Sequence, residues 1–312
     1  MSSHLLSVVM PTHNRADQLE GAARSVLEQC AVEIELVIVD DASSDHTTTV
    51  TDRLSSDRRV RVLRNEQSVG PGAARNQGIR VTRGDLLGFC DDDDAWLPRA
   101  ASTLTDCLSD RAELGAVTSW HRVVHDGTAR CVDFRGPLEF GPDELLWFNV
   151  VALPFGIVRR SHFDEDPAFD ETLPPCEDWD LWLRCAQARP IAAVPSVLYE
   201  YRQHGGPRVT TKGSRGRQAF VEKHWSEMTP ACRVYHRACL AHEASGRSAM
   251  AGTLASSATG APVAAAFAGA VLGTTDVAAS WGIRRADPGL ASRAVVRLLS
   301  LDPARRGRRA AG

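Results

Sequence analysis

The chain has 312 residues, of which 43% are hydrophobic and 24% charged, the balance of a protein that buries a real core. That length suits one large α/β domain, or a domain of ordinary size with an appendage. A formal net charge of −3 and a pI near 6.4 argue against nucleic-acid binding, which draws on a basic face.

Eight cysteines are scattered without a C-x-x-C pair, so metal-knuckle spacing is absent and reduced core thiols of a cytoplasmic protein are expected. The apolar stretch Leu5–Met10 stops at Pro11 and no basic segment precedes it, unlike a signal peptide. Leu254–Thr275 carries no charge, but it is built of Ala, Gly, Ser and Thr with Pro262 inside, too weakly apolar for a membrane span. The expectation is a cytoplasmic chain with no transmembrane segment, peripheral to the membrane at most.

Leu5–Met10 reads as a buried strand closed by Pro11. Leu19, Ala22, Ala23, Val26 and Leu27 then repeat at helical spacing. Val32–Val39 reads as a second strand, and Ser44 or Asp45 as the cap of a helix through Leu54. Val60–Leu63, Gly72–Arg80 and Leu86–Cys90 follow as strand, helix and strand. This β-α-β-α order predicts a mostly parallel sheet with helices on both faces. From Gly115 the pattern changes: Ala116–Val124 and Ala129–Phe134 flank Asp126-Gly127, a hairpin signal. A helix follows Pro174-Pro175 with Trp179, Trp182, Leu183 and Ala186 along one face, a spacing that favours core packing over a sugar platform. Ile191–Tyr201 reads as extended and Gly205–Gly216 as a loop. Beyond about residue 217 the composition turns Ala-rich, predicting helices over Gln218–Ser245, Met250–Leu272 and Pro288–Leu301, then a frayed basic tail.

Polar residues gather just after four of the strands: Thr12 and Asn14, Asp40 and Asp41, Arg64 and Asn65, and Asp91 to Asp94. Open α/β sheets bind ligands outside the carboxyl ends of their strands, so these clusters predict one site on one rim. In extended backbone residues i and i+2 share a side, which would turn Asp91 and Asp93 toward one ion and Asp92 and Asp94 away from it. Hard cations such as Mg²⁺ and Mn²⁺ take carboxylate oxygens and share them with substrate phosphates. His121 and His125 have the i, i+4 spacing of a zinc helix, but on a strand they lie about 13 Å apart at ~3.3 Å per residue, too far for one ion. Gly70-Pro71-Gly72 is no dinucleotide loop, since Arg75 stands where the third glycine belongs.

Five segments in order carry a family resemblance: Ser7–Arg15, Val39–Thr47, Gly72–Gly78, Phe89–Trp96 and Cys176–Arg184. Together they resemble the opening strand, the V-D-D-x-S-x-D-x-T segment, the A-R-N-x-G helix, the F-L-D-x-D-D-x-W acidic run and the E-D-x-x-L-W-L-R helix of the family-two inverting glycosyltransferases with the GT-A fold. Cys90 is the departure in the acidic run, and the likeness fades after Tyr201–His204.

The resemblance implies a nucleotide loop from Pro11, Thr12, Asn14 and Arg15, with Asp40 hydrogen-bonding the base, typically uracil. It implies that Asp91 and Asp93 hold Mn²⁺ or Mg²⁺ and the diphosphate, with Asp92 near the ribose and His204 either beside the metal or on a solvated loop. Arg75 belongs either near the nucleotide or in a structural ion pair. Asp178 is the implied base, with helix capping as its alternative role, and Glu177 and Trp179 are acceptor-side candidates. The implied organisation is a GT-A catalytic domain over residues 1–216, its nucleotide-binding half ending near 98 and its acceptor half starting near 99. A helical region over 217–303 and a tail over 304–312 complete it, the helices serving acceptor binding or homodimerisation. The implied partners are a nucleotide sugar, UDP-linked, and an acceptor that is a saccharide, lipid, peptide or secondary metabolite. Two rivals stand beside this reading. One is a nucleotidyltransferase, against which Pro11–Arg15 speaks for want of a Gly-rich phosphate loop; the other is a sugar-binding protein without catalysis, against which Asp91, Asp93 and Asp178 speak.

Overall fold

The computed structural model describes residues 4–125, 131–134, 138–147, 149, 156–162, 168–173, 175–203 and 213–245. The order is β1 (Leu5–Thr12), α1 (Ala16–Leu27), β2 (Glu33–Asp40), α2 (Thr47–Leu54), β3 (Val60–Arg64), α3 (Pro71–Val81), β4 (Leu86–Phe89), β5 (Ala95–Trp96) and α4 (Ala100–Asp110). Then come β6 (Ala116–His125), β7 (Cys131–Phe134), β8 (Glu139–Phe140), α5 (Pro142–Trp147), β9 (Gly156–Arg159), α6 (Glu177–Ala188), β10 (Ile191–Gln203), α7 (Gly213–Lys223) and α8 (Pro230–Ser245). The strands form one mixed sheet in the order β3-β2-β1-β4-β9-β6-β10-β5, with β7 on β6 and β8 on β10.

The first four strands are parallel, as the alternating pattern predicts, and β1 sits between β2 and β4. Strand order therefore reverses at β1, the switch point where the carboxyl ends open a crevice. Strands β1 and β2 are buried along almost their whole length and mostly apolar, since helices cover both sides of the sheet. Leu6, Val8 and Met10 pack with Leu19, Ala22 and Val26 of α1, while Val9, Val37 and Val39 join Ala74 and Ile79 of α3.

Several expectations shift. Strand β9 enters antiparallel between β4 and β6, where no strand was expected, because its four residues are too short to show a period. The backbone of β6 is a strand at both His121 and His125, which confirms that they cannot form a zinc helix. Residues 218–245 are two helices rather than one, since Pro230 has no amide hydrogen to continue a helix and instead opens α8. Thr229 supports that start, its hydroxyl accepting from the Cys232 amide at 3.2 Å. Asp45 does receive the Thr47 amide at 2.9 Å, but the residue in the cap position of α2 is His46.

The described C-terminal helices do not form a separate core. Phe220, Met228, Cys232, Tyr235 and Cys239 are buried in the same cluster as Trp179, Leu181 and Trp182 of α6. Trp179 stacks on Phe220 with ring centroids 4.1 Å apart, so core packing is confirmed for that face. The expected Asp126-Gly127 turn, His204 and the helices beyond residue 245 lie outside the described residues. Among the described residues no helix is long and apolar enough to cross a membrane.

Candidate active site

The rim begins with register. Thr12 lies opposite Asp40, and Asp40 opposite Arg64, so three of the polar clusters sit side by side at the strand ends. Backbone bonds tie the rim together, the Asp41 amide to the Thr12 carbonyl at 2.8 Å and the Asn65 amide to the Asp40 carbonyl at 2.9 Å. Asp40 is wholly buried; its carboxylate accepts from the Ser43 amide at 3.0 Å and pairs with Arg64 at 3.2 Å. Asp41 does the anchoring. It accepts from Asn65, Ser68 and the Val69 and Gly70 amides, all between 2.7 and 3.1 Å, and so fixes the loop leading into α3. Burial acts to raise its pKa, but these donors outweigh it and hold the carboxyl below its ordinary value.

Asn14 has φ 54°, the left-handed conformation that Asn tolerates better than most residues. Its side-chain oxygen accepts from the Ser44 amide at 2.7 Å and the Asp45 amide at 3.3 Å, joining the two loops on either side of the β1 and β2 ends. Pro11 is half-buried in β1, and Thr12 is buried at its end beside Asp92.

The acidic run is a turn, not extended chain: the Asp94 amide donates to the Asp91 carbonyl at 3.2 Å. Strand alternation is therefore the wrong cause, yet the exposure still alternates. Asp91 and Asp93 are half-buried, while Asp92 and Asp94 are buried. Asp94 accepts from the Arg202 amide at 2.9 Å, which holds the turn to β10. Burial pushes Asp92 up to about 7, with Thr12 and Arg15 opposing and Asp91 and Asp93 assisting. The outward pair each meet an arginine, Asp93 with Arg15 at 3.3 Å and Asp91 with Arg75 at 2.7 Å.

Helix α3 explains its own motif. Ala74 is buried against β1 and β2, and Gly78 lies so near Val9 that a Cβ there would stand 2.4 Å from its Cγ1. Asn76 holds the chain at Phe169 twice, donating to its carbonyl at 2.9 Å and accepting from its amide at 2.8 Å. Phe169 in turn meets Phe89 edge-on at 5.3 Å. Arg75 is buried and reaches across: besides Asp91 it pairs with Glu177 at 3.1 Å, through its other terminal nitrogen. Arg75 thus stands in an ion pair, the structural alternative, while also lying at the site.

Glu177 and Asp178 open α6. Glu177 is buried, and one of its oxygens accepts from the Cys176 amide at 3.0 Å. Burial raises its pKa, Arg75 opposes, and Asp178 adds to the rise. Asp178 is half-buried; one oxygen accepts from the Trp179 amide at 2.7 Å and the other from Asn149 at 3.1 Å. Trp179 is buried as well. Of these two acceptor-side candidates, Trp179 packs on Phe220 of α7 and Glu177 pairs with Arg75.

The site therefore joins a switch-point rim, an outward acidic pair and a helix start bearing carboxylates, which together define a GT-A domain. Structures of this fold confirm it: S. aureus TarS 1-349 in complex with UDP-GlcNAc superposes with a TM-score of 0.61 at 18% identity, covering 78% of this chain and 74% of that one. The mannosyltransferase PcManGT from Pyrobaculum calidifontis, in complex with GDP-Man and Mn²⁺, gives 0.59 at 18% identity over 95% of this chain and 86% of that one. Residues 7–130 match the model of Glycosyl transferase family 2, so the chain carries a family 2 glycosyltransferase domain. Among curated proteins, the glycosyltransferase RC0461 of Rickettsia conorii, itself uncharacterized, is 26% identical over 207 residues. That alignment covers 64% of this chain and 34% of the relative, so the chain spans about a third of that relative's length.

Proposed function

We propose that the chain is an inverting glycosyltransferase that moves a sugar from a nucleoside diphosphate, UDP, to a hydroxyl or other nucleophile of an acceptor. The observation that carries the reading is the Arg75 bridge. It brings the outward acidic turn at Asp91 and the carboxylate-bearing start of α6 into one site, the two halves that a single displacement needs.

Asp91 and Asp93 suit a divalent ion by chemistry: both are half-buried carboxylates, the hard donors that Mg²⁺ and Mn²⁺ prefer. Among the described residues no cluster of three or more His, Cys, Asp or Glu could hold an ion without help. Asp91 and Asp93 would therefore hold it jointly with donor phosphate oxygens, the usual manner of Mg²⁺. When bound, the cation neutralises charge that builds on the departing diphosphate. Pro11, Thr12, Asn14, Arg15, Asp40, Arg75 and Asp92 form the nucleotide-sugar side in this reading.

Asp178 acts as the base. Its place in the first turn of α6 favours the ionised form through the helix dipole. The carboxylate takes the acceptor hydroxyl proton while the acceptor oxygen bonds to the anomeric carbon. The bond from that carbon to the diphosphate oxygen breaks on the opposite face, the nucleoside diphosphate leaves, and the configuration inverts.

Support for a nucleotide-sugar donor comes from the fold neighbours, one in complex with UDP-GlcNAc and one with GDP-Man. The test is calorimetry of UDP- and GDP-sugars against the wild type and Asp91→Ala, with and without Mn²⁺. Metal-dependent binding of a UDP-sugar that Asp91→Ala loses is the expected result. A chain that binds no nucleotide sugar, or binds one identically without Asp91, would sink the reading.

A further inference from the structure

One arginine serves two carboxylates that belong to different halves of the site. Arg75 gives one terminal nitrogen to Asp91 at 2.7 Å and the other to Glu177 at 3.1 Å. It makes a single bond to each rather than the two-point fork in which Arg binds a carboxylate most strongly. Among the described residues nothing accepts from its Nε, although the side chain is buried and that nitrogen is shielded from solvent. A buried donor without a partner is costly, and here it leaves the guanidinium able to take a second bond from one carboxylate if it gives up the other.

The charges lean the same way. Asp91, Glu177 and Asp178 all act on Arg75, so one positive charge faces three acidic groups. A second cation is favoured there, and Asp91 is the most exposed of Arg75's two partners, with 30% of its side chain accessible against 9% for Glu177. Glu177 is fixed, since the Cys176 amide binds its other oxygen and α6 begins at that residue.

We propose that Arg75 is a positioning residue that exchanges between these partners. It covers Asp91 while the donor site is empty, and it passes wholly to Glu177 when a divalent cation takes Asp91. The transfer tightens the first turn of α6, where Asp178 sits, so occupancy of the donor side sets the base. This inference rests on the proposed metal role of Asp91.

The test uses Mn²⁺ alone, titrated into the full chain and followed by the loss of its free paramagnetic resonance signal. Glu177→Gln should weaken Mn²⁺ binding on the order of fivefold, because Arg75 then has one charged partner left and competes harder for Asp91. Asp178→Asn removes a charge from the same turn while leaving the Arg75–Glu177 pair in place, and should change Mn²⁺ affinity less than twofold. Arg75→Lys, which reaches one carboxylate at a time, should bind Mn²⁺ more tightly than the wild type. Hydrogen exchange supplies the second readout: Mn²⁺ should slow exchange of the amides of residues 177–180 in the wild type and leave them unchanged in Arg75→Lys. Equal affinities in Glu177→Gln and Asp178→Asn, or the same protection in Arg75→Lys as in the wild type, overturns the exchange. A wild type whose Mn²⁺ binding survives Asp91→Asn, or that binds none, overturns the metal role of Asp91 and the exchange with it.

Discussion

His224 Nε2 meets Asp180 Oδ1 at 2.8 Å in the interior, joining the residue just after α7 to the first turn of α6. The other ring nitrogen meets Glu227 at 2.7 Å, and both His224 and Asp180 are buried. Lys223 and Arg184 reach the same aspartate at 2.7 and 2.8 Å. Burial acts to raise the Asp180 pKa, but the bonds from His224 and Lys223 and the Arg184 charge hold it well below the ordinary range. Burial likewise opposes protonation of His224, and its two carboxylate partners outweigh that and raise its pKa. The C-terminal helices are therefore locked to the helix that carries Asp178 by a charged latch.

That latch predicts a pH signature. A histidine whose folded pKa is raised adds stability in full below its unfolded value of about 6.5, and loses it as pH rises through the folded value. His121 and His236 oppose this trend, since burial lowers them to about 4 and about 3, and they cost stability as pH falls below about 6.5. The difference between wild type and His224→Gln isolates the latch. Urea midpoints from pH 5.5 to 8.5 should show the wild-type advantage largest at the acid end and shrinking toward the basic end. A constant difference would mean that folding leaves the His224 pKa where it is in the unfolded chain.

Close approach of α3 to the sheet gives a second prediction. A Cβ at Gly78 would lie 2.4 Å from Val9 Cγ1 and 3.3 Å from Val39 Cγ2, and both valines are fully buried. Gly78→Ala should lower stability by about 1–3 kcal/mol, the usual cost of overpacking a filled core. Thermal unfolding would detect it. No loss would mean that α3 lifts from β1 freely.

These two sites show what could be read from the sequence. Strand and helix periods placed β1 to β4 and α1 to α3, because buried parallel strands and amphipathic helices leave strong local patterns. Gly78 and Asp91 stood out through their motif neighbours. The partners did not: Arg75 and Glu177 are 102 positions apart, and Asn76 and Phe169 are 93 apart, so only the fold brings them together. The turn at Asp91–Asp94 escaped for another reason. Alternating exposure looks the same whether a strand or a turn produces it, and only the bond from the Asp94 amide separates the two. The anchoring by Asp41 was hidden by its neighbour, since two adjacent aspartates at a strand end differ only in which one the next loop folds over.

Asp41 carries the third prediction. It is buried and serves four donors, two of them the backbone amides of Val69 and Gly70. Asp41→Ala leaves those donors unmatched, with water able to reach some of them because the loop is exposed at Ser68 and Val69. A loss of about 2–3 kcal/mol is expected, near the cost of one or two unsatisfied buried groups. Hydrogen exchange should also accelerate at residues 65–70. Unchanged exchange there would place the anchor elsewhere.

The last prediction separates two adjacent carboxylates. Glu177 is buried and held by Arg75 at 3.1 Å and by the Cys176 amide, so its oxygens are shielded from an acceptor hydroxyl. Asp178 is the more open of the two, half-buried with one oxygen on the Trp179 amide and one toward Asn149. A carboxylate keeps further lone pairs when it accepts one bond per oxygen, so Asp178 can still take a proton from an acceptor hydroxyl. Asn in its place can accept from the Trp179 amide and meet Asn149 with its own amide group, which keeps the start of α6 folded. It cannot take the proton. Asp178→Asn should therefore bind nucleotide sugar and metal as the wild type does, with transfer slowed by ~10²–10⁴-fold, the usual worth of a positioned base. Glu177→Gln should keep part of its transfer rate, because it disturbs the position of α6 rather than the acceptance of the proton. Single-turnover transfer to a working acceptor measures both. A near-normal rate in Asp178→Asn beside an inactive Glu177→Gln would assign the base to Glu177, and Asp178 would then be a helix cap.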